Sequence, residues 1–302
     1  MILCADIGGS FIDFAAVRPG GKLEHRTAVP TPVNDLTAFV DALVELCRPW
    51  PDLPLHIAIA GVENPKTGIV HAANIPCLKH ASLGEFLQAK ANRRVLVAND
   101  ADCFALAEAR FGVAKGHQNV FGIILGTGIG GGHILSGKIV TGLGGITGEW
   151  GHSPTVLPPP FMNCEPDHSN IVPLFKCGCG QAGCLDTIAG ARALERLHLW
   201  AGGDVSDSRS ILTAWEGGDL QAERTMAVYL SYVSAALAHV VNITGCTIIP
   251  VGGGLGNSKS LIAAIDRAVR EKILYPTEAP LLIQATLGTE AGLLGAACLA
   301  DV

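Results

Sequence analysis

Three cysteines fall within eight positions in the stretch KCGCGQAGCLD (176–186): Cys177, Cys179 and Cys184. Thiolates this close, separated by glycines, are suited to a structural zinc ion, which takes four soft or borderline ligands. Upstream stand His152, Cys164 and His168, and spacing alone does not choose the fourth ligand among them. The plainer reading is three buried free thiols. A four-ligand site is closed, with no position left for water or substrate, so such a metal holds other groups in place instead of reacting.

Other residues have the types and settings for chemistry on phosphate. DIGGS (6–10) ends an apolar run at a tight turn. Bare glycine amides there let backbone approach a phosphate, and the carboxylate of Asp6 can meet Mg²⁺. An ordinary hairpin turn would look the same. GTGIGGG (126–132) matches G-x-G-x-x-G, but a dinucleotide fingerprint must open a helix. Here HILSGKIV continues as a strand, so a phosphate-cradling hairpin fits better, with the Thr127 hydroxyl and the Gly128 amide as donors. GGGLGNSKS (252–260) follows a strand and precedes a helix without the Gly-Lys-Ser/Thr of a P-loop. In NDAD (99–102) Asp100 and Asp102 cannot both cap the helix that follows, which leaves a carboxylate to spare. TGEWGH (147–152) brings Glu149 and His152 onto one glycine-flanked loop suited to hydrogen-bonding a small molecule.

The elements that must position these groups alternate in type. Strands are expected over 2–7, 11–17, 55–60 and 94–98, with helices after Asn34 (its plausible cap) and over 82–91 and 101–111. Residues 119–140 repeat the order of 2–23: buried strand, glycine turn, strand, second turn, strand. Two copies of one unit point to a duplicated α/β fold with a cleft between its halves. Residues 151–190 read as a loop-rich insertion; beyond it come a long helix over 219–243, a strand at 246–251, a helix at 258–273, a strand at 281–285 and a last helix from about Thr289.

Composition narrows the classes. A net charge of −6 without a cluster of Lys and Arg argues against nucleic acid as a partner. No stretch reaches the roughly 18 unbroken apolar residues of a membrane span, and MILCADIGGS reads as a buried first strand, not a signal peptide. Ten cysteines in such a chain point to reduced thiols and a cytoplasmic location, not a disulfide framework.

Together these motifs, in this order and over essentially the whole chain, resemble the ROK family of sugar kinases and repressors. DIGGS looks like the family's first phosphate loop, LGTGIGGG its second, VGGGL its adenosine loop, and GEWGH with CGCGQAGC its zinc signature. The resemblance implies the duplicated actin-like, ribonuclease-H-like fold, with an N-terminal domain over 1–115 completed by 289–302. A larger domain over 116–288 carries the zinc insertion at about 151–190. The repressor branch prefixes a winged DNA-binding domain, and a phosphate loop at Asp6 leaves it no room, so the kinase branch is expected.

By that resemblance His152 joins Cys177, Cys179 and Cys184 on zinc, and Asp100 is the catalytic base. Asn74, Asn99, Asp100, Glu149, His152 and Asp186 fall at sugar-contacting positions, with Gly61 nearby. Asp6, Gly8, Gly9, Ser10, Thr127, Gly128, Gly253 and Gly254 serve Mg-ATP. The implied activity is ATP-dependent phosphorylation of a sugar 6-hydroxyl by a homodimer or homotetramer. The 24 residues between His152 and Cys177, with AANIP and TGEWGH, resemble N-acetylglucosamine kinases more than glucokinases, with N-acetylmannosamine kinase a further alternative. A non-catalytic sugar sensor is the rival from another class. The sequence departs from the family at Ser10 (usually Thr), at Phe11 (often Lys), at NITGC (242–246, usually an Asp-Pro turn) and at Asp186 (usually Glu).

Overall fold

The computed structural model describes residues 1–72, 74–79, 81–156 and 172–301; Cys164 and His168 lie outside them. The first sheet is built from β1 (Ile2–Ile7), β2 (Phe11–Arg18), β3 (Lys22–Pro30), β4 (Leu55–Ile59) and β7 (Val95–Asn99), in the order β3-β2-β1-β4-β7. β1, β2 and β3 form an antiparallel meander, while β1, β4 and β7 run parallel. β4 is buried at every position, as expected of a central parallel strand covered on both faces. β3 is the outer strand and carries Lys22, Glu24 and Arg26, charges that discourage edge-to-edge pairing.

Helix α1 (Leu36–Cys47) buries Phe39, Val40, Leu43 and Cys47 on one face. These meet Leu3, Ile7, Ile57 and Ile59 of the sheet, together with Leu83 and Leu87 of α2 (Leu83–Ala91). The cap of α1 is Asp35, not the expected Asn34: its extended backbone lets Oδ1 accept from the Ala38 amide at 3.0 Å, and Asn34 sits one residue too early for that reach. A small ribbon of β5 (Val62–Glu63) and β6 (Val70–His71) stands apart from the sheet. α3 (Asp100–Arg110) follows β7 directly and packs on α9 (Ala291–Ala297), which itself lies on β1, β2 and β4.

The second sheet has the order β10-β9-β8-β11-β12, from β8 (Asn119–Leu125), β9 (Ile129–Leu135), β10 (Lys138–Ile139), β11 (Ile249–Gly252) and β12 (Leu282–Gln284). Its order matches the first: three strands in sequence, then two joined in parallel. The duplicated grammar of the sequence is therefore a duplicated topology. β11 begins at Ile249, three residues later than expected, and α9 is preceded by a short 3₁₀ turn at Gly288–Glu290.

Short α4 (Asp186–Ala189) and α5 (Ala191–Trp200) lead into α6 (Ser208–Glu216), α7 (Leu220–Thr244) and α8 (Lys259–Arg270). α7 is the one helix among the described residues long and apolar enough, by length and composition, to cross a membrane. It packs against α4, α5, α6 and α8 through a stripe that includes Ala222, Thr225, Met226, Tyr229 and Val233. The chain divides into two compact units, one of residues 1–122, 132–148 and 286–302, the other of 123–131 and 149–285.

Each unit uses a buried carboxylate on a helix to receive the chain as it returns. In the first unit Glu108 of α3, fully buried, accepts from the amides of Val113 (2.9 Å), Thr286 (2.9 Å) and Leu287 (3.0 Å). In the second, Asp266 of α8 accepts from the amides of Leu281 (2.8 Å) and Leu282 (3.0 Å) and from Arg270 Nε (2.8 Å). Removing such an acceptor strands buried donors, at about 1 kcal/mol or more for each. Glu108→Ala should lower unfolding stability by roughly 2–4 kcal/mol, read as an earlier denaturant midpoint. An unchanged midpoint would mean that water takes over all three amides.

Candidate active site and metal centre

In the first unit the parallel register lines up one row of strand ends. Ile7 pairs with Ile59, and Ile59 with Asn99, so the turns after β1, β4 and β7 emerge side by side. In open α/β sheets the carboxyl ends of parallel strands are where ligands bind. After β1 comes the turn of Gly8, Gly9 and Ser10, tied by Gly8 N to Phe11 O (3.0 Å) and by the Thr31 hydroxyl to Gly8 O (2.8 Å). Gly9 packs against Asn74, which is exposed on the turn after β6.

After β7, Asn99 caps α3, its Oδ1 accepting from Ala101 N (2.9 Å) and Asp102 N (3.1 Å), while Nδ2 donates to Gly61 O (3.1 Å). Much of the Asn99 amide is thus spent on structure, joining α3 to the loop after β4. Asp100 is the first residue of α3, with Oδ1 against the Ala101 amide (2.9 Å). Asp102, the other carboxylate of NDAD, is buried. Asp100 is thus the carboxylate of NDAD that stands at the strand ends, at the start of α3.

Asp6 sits beside Asp100. Burial above all, then the negative charges of Asp100 and Asp13, pushes the Asp6 carboxyl up to about 7, against a smaller pull from Arg26. Arg26 is itself held by Asp13, with Nε 3.2 Å and 3.1 Å from the two carboxylate oxygens. Two carboxylates brought together in a partly desolvated place attract a cation.

The second unit contains a cavity of about 1100 Å³ walled by three segments: the turn after β8, helix α6, and the turn after β11 running into α8. That is ample for a nucleotide, since ligand clefts are typically ~300–1,000 Å³. Thr127 and Gly254, two of the residues the resemblance assigns to the nucleotide, line it; Gly128 and Gly253 do not. Gly253 takes φ +84°, and a Cβ there would fall 2.4 Å from Leu125 O, so only glycine lets the two turns lie backbone to backbone. Arg209 and Lys259 add positive charge, and Glu216 accepts from the hydroxyls of Ser258 (3.1 Å) and Ser260. This whole α6 wall escaped the sequence reading. The available signal was Asp207 before SRSIL, a cap whose Oδ1 accepts from Ser210 N at 2.7 Å.

The cysteine cluster gathers as a metal site would. The ligand atoms of His152, Cys177, Cys179 and Cys184 all lie within 4.8 Å of one another. Cys177 Sγ is 3.5 Å from His152 Nδ1, and the sulfurs of Cys179 and Cys184 are 3.7 Å apart. A tetrahedral zinc with Zn–S ~2.3 Å and Zn–N ~2.0 Å sets its ligand atoms roughly 3.5–3.8 Å apart, so the donor set fits. A hydrogen bond from the Gln181 amide pushes the exposed Cys179 thiol down to about 7. With Nδ1 toward the sulfurs, His152 turns Nε2 toward Glu149, 3.7 Å away. Burial raises the Glu149 carboxyl against the opposing pull of His152. The loop carrying both is fastened by Trp150 Nε1 to Gly130 O (3.0 Å).

Residues 2–302 match the profile of the ROK family. The chain belongs to the ROK family. It is 33% identical over 303 residues, 97% of each chain, to an N-acetyl-D-glucosamine kinase of Salmonella paratyphi C. A ROK hexokinase from Thermus thermophilus superposes with TM-score 0.82 at 31% identity, covering 99% of this chain and 97% of that one. A ROK glucokinase from Streptomyces griseus, solved with glucose and AMPPNP, does so with TM-score 0.76 at 28% identity over 99% and 98%. The fold is that of the ROK sugar kinases, and the chain is an ATP-dependent sugar kinase.

In this kinase Asp6, when ionised, bears a cost from burial and from neighbouring negative charge. Its carboxyl binds a proton more tightly when folded than its ordinary value near 4, so the stability linked to that proton is complete below ~4 and lost as pH rises through ~7. Without Mg²⁺, Asp6→Asn should therefore be more stable than the parent by about 2–3 kcal/mol near pH 8, the gap closing as pH falls toward ~4. Denaturant midpoints across that range check it; a gap that does not change with pH would contradict the assignment.

Proposed function

We propose that this kinase transfers the γ-phosphoryl group of ATP to the 6-hydroxyl of N-acetyl-D-glucosamine. The observation that carries the choice of sugar is the 33% identity, over 97% of both chains, to N-acetyl-D-glucosamine kinase. Phosphoryl transfer asks little covalent chemistry of a protein; position and charge do most of the work. Asp100, set at a strand end by the Asn99 cap, orients the attacking hydroxyl and accepts its proton. With a loose transition state the proton leaves late, so an ordinary carboxylate is a sufficient base.

Asp6 anchors Mg²⁺, and the turns at Gly8, Gly9 and Ser10 and at Thr127 and Gly128 hold the phosphates through backbone amides and hydroxyls. Ser10 keeps the hydroxyl that threonine usually supplies. Gly253 and Gly254 flank the adenosine, with α6 as the wall of its cavity. Asn74, Asn99, Glu149 and His152 hydrogen-bond the sugar. His152, Cys177, Cys179 and Cys184 hold a zinc ion, which supplies a fixed tautomer and position for the imidazole. The Nε2 edge of His152 then faces Glu149 and the sugar hydroxyls. The partners are small molecules, in keeping with the negative net charge, and the kinase works in the cytoplasm as a homodimer or homotetramer.

ADP release from Mg-ATP, measured across N-acetylglucosamine, N-acetylmannosamine, glucose and fructose, should give the highest kcat/KM on N-acetylglucosamine. In the same assay Asp100→Asn should bind sugar nearly as well and lose about two to four orders of magnitude in kcat. A better acceptor than N-acetylglucosamine would reassign the sugar, and near-normal turnover of the variant would move the base elsewhere. Silence on every sugar would leave a sugar-binding protein without turnover.

The metal makes a separate prediction. The parent should carry about one zinc per chain, and Cys179→Ser should lose it and raise the KM for sugar. Metal analysis beside steady-state kinetics checks this; full loss of zinc with unchanged sugar affinity would sink the link from zinc to His152.

A further inference from the structure

The turn Gly126–Ile129 is gripped from both ends by the segment that follows the metal loop. Ala191 N donates to Gly126 O at 2.8 Å, and Ile129 N donates to Asp186 Oδ1 at 2.9 Å. Within the turn Gly126 N donates to Gly128 O at 2.9 Å. The amides on either side of Thr127 and Gly128 are thus taken, while those of Thr127 and Gly128 themselves have no hydrogen-bond partner among the described residues. They are the two donors free to meet a phosphate.

Asp186 spends one carboxylate oxygen on the chain's own backbone. Oδ1 serves Ile129, and Oδ2 lies 3.9 Å from Cys177 Sγ, on the metal-loop side. The fit is close as well: a Cβ on Gly128 would fall 2.7 Å from Asp186 Oδ1. A glutamate in this place, one methylene longer, could keep an oxygen on the Ile129 amide only by taking another rotamer or by moving the backbone. The resemblance to the family implied a sugar contact for residue 186; the geometry here points elsewhere.

We propose that Asp186 is a positioning residue for the nucleotide, holding the Gly126–Ile129 turn so that its two free amides face the phosphates, and that it does not select the sugar. Aspartate in place of glutamate is then a change of task, from reaching outward to bracing a backbone turn. A single residue, Leu185, separates Cys184 from Asp186 and joins the metal loop to the phosphate turn, so the metal loop steadies nucleotide binding as well as His152.

The inference rests on the nucleotide reading above, and its test separates the two. Asp186→Ala, Asp186→Asn and Asp186→Glu are compared with the parent by calorimetric titration of Mg-ADP and by KM for ATP and for N-acetylglucosamine, with zinc content as the check on the loop. Asp186→Ala should weaken Mg-ADP and raise the KM for ATP about tenfold, the effect of losing one hydrogen bond to a charged acceptor. Asp186→Asn, whose amide oxygen can take the same N–H, should stay within about threefold of the parent. Asp186→Glu should resemble alanine toward nucleotide, which keeps the test open should the alanine variant fail to fold. The KM for sugar should move less than about twofold in the alanine and asparagine variants. A tenfold rise in sugar KM with Mg-ADP affinity unchanged would overturn the proposal, as would an alanine variant equal to the parent in both. A parent that binds no Mg-ADP would overturn the nucleotide reading and this inference with it.

Discussion

The register of three parallel strands is the constraint on which the rest of the first unit depends. Ile7, Ile59 and Asn99 stand abreast, and their neighbours Asp6, Ala58 and Ala98 stand abreast one step earlier. A slip of one residue would turn every side chain to the opposite face and throw the buried row of β4 out of its core. Because both faces are buried, the slip would cost many apolar contacts at once. The positions of the Gly8–Ser10 turn and of Asp100 thus rest on hydrophobic packing at some remove from them. The second sheet repeats the device: Val251 pairs with Ile123 and Gly252 with Ile124, so the glycine turns after β8 and β11 must adjoin.

What the sequence made legible follows from that economy. Buried parallel strands read as apolar runs, and a turn that must pass backbone close to backbone reads as glycine. DIGGS, GTGIGGG and GGGLG therefore announced themselves, as did the order of strands around them. Legibility fell where two residues were equally suited and geometry alone decided. Asn34 and Asp35 are both good caps, and only the reach from Asp35 to the Ala38 amide separates them. It fell again where a wall of the site has no distinctive composition: α6 contributes Arg209, Thr213 and Glu216 to the cavity from a nine-residue helix that looks like any amphipathic one.

The metal loop shows the same division. Three cysteines in eight positions were conspicuous, but the fourth donor was open on spacing alone, because a loop of many residues can bring several candidates to one point. Among the described residues the fold places His152 Nδ1 beside Cys177, which simultaneously aims the other ring nitrogen at Glu149. Asp186 shows the reverse case. Its position in the motif was plain, yet its partner was not: the Ile129 amide lies 57 residues away in sequence, and only tertiary structure brings it to 2.9 Å. At α7 the length and mean composition alone would pass for a membrane span, yet the unbroken apolar run is too short and four helices of its own unit pack on it.

Stability and chemistry pull in opposite directions at Asp6, and the pattern of surrounding charges explains why the conflict is tolerated. Glu108 and Asp266 are buried carboxylates answered by backbone amides, so each strengthens the fold that surrounds it. Asp6 is answered chiefly by other carboxylates, and the nearest cation, Arg26, is committed to Asp13. A buried acid left in that state is costly by itself, yet it gains most from a divalent cation, because the same low-dielectric setting that disfavours its charge strengthens the attraction once the ion is present. The fold can hold such a group because the loss is confined to one position on a sheet whose packing is otherwise complete. A charge so poorly answered by the protein's own groups is therefore one that a bound cation would stabilise.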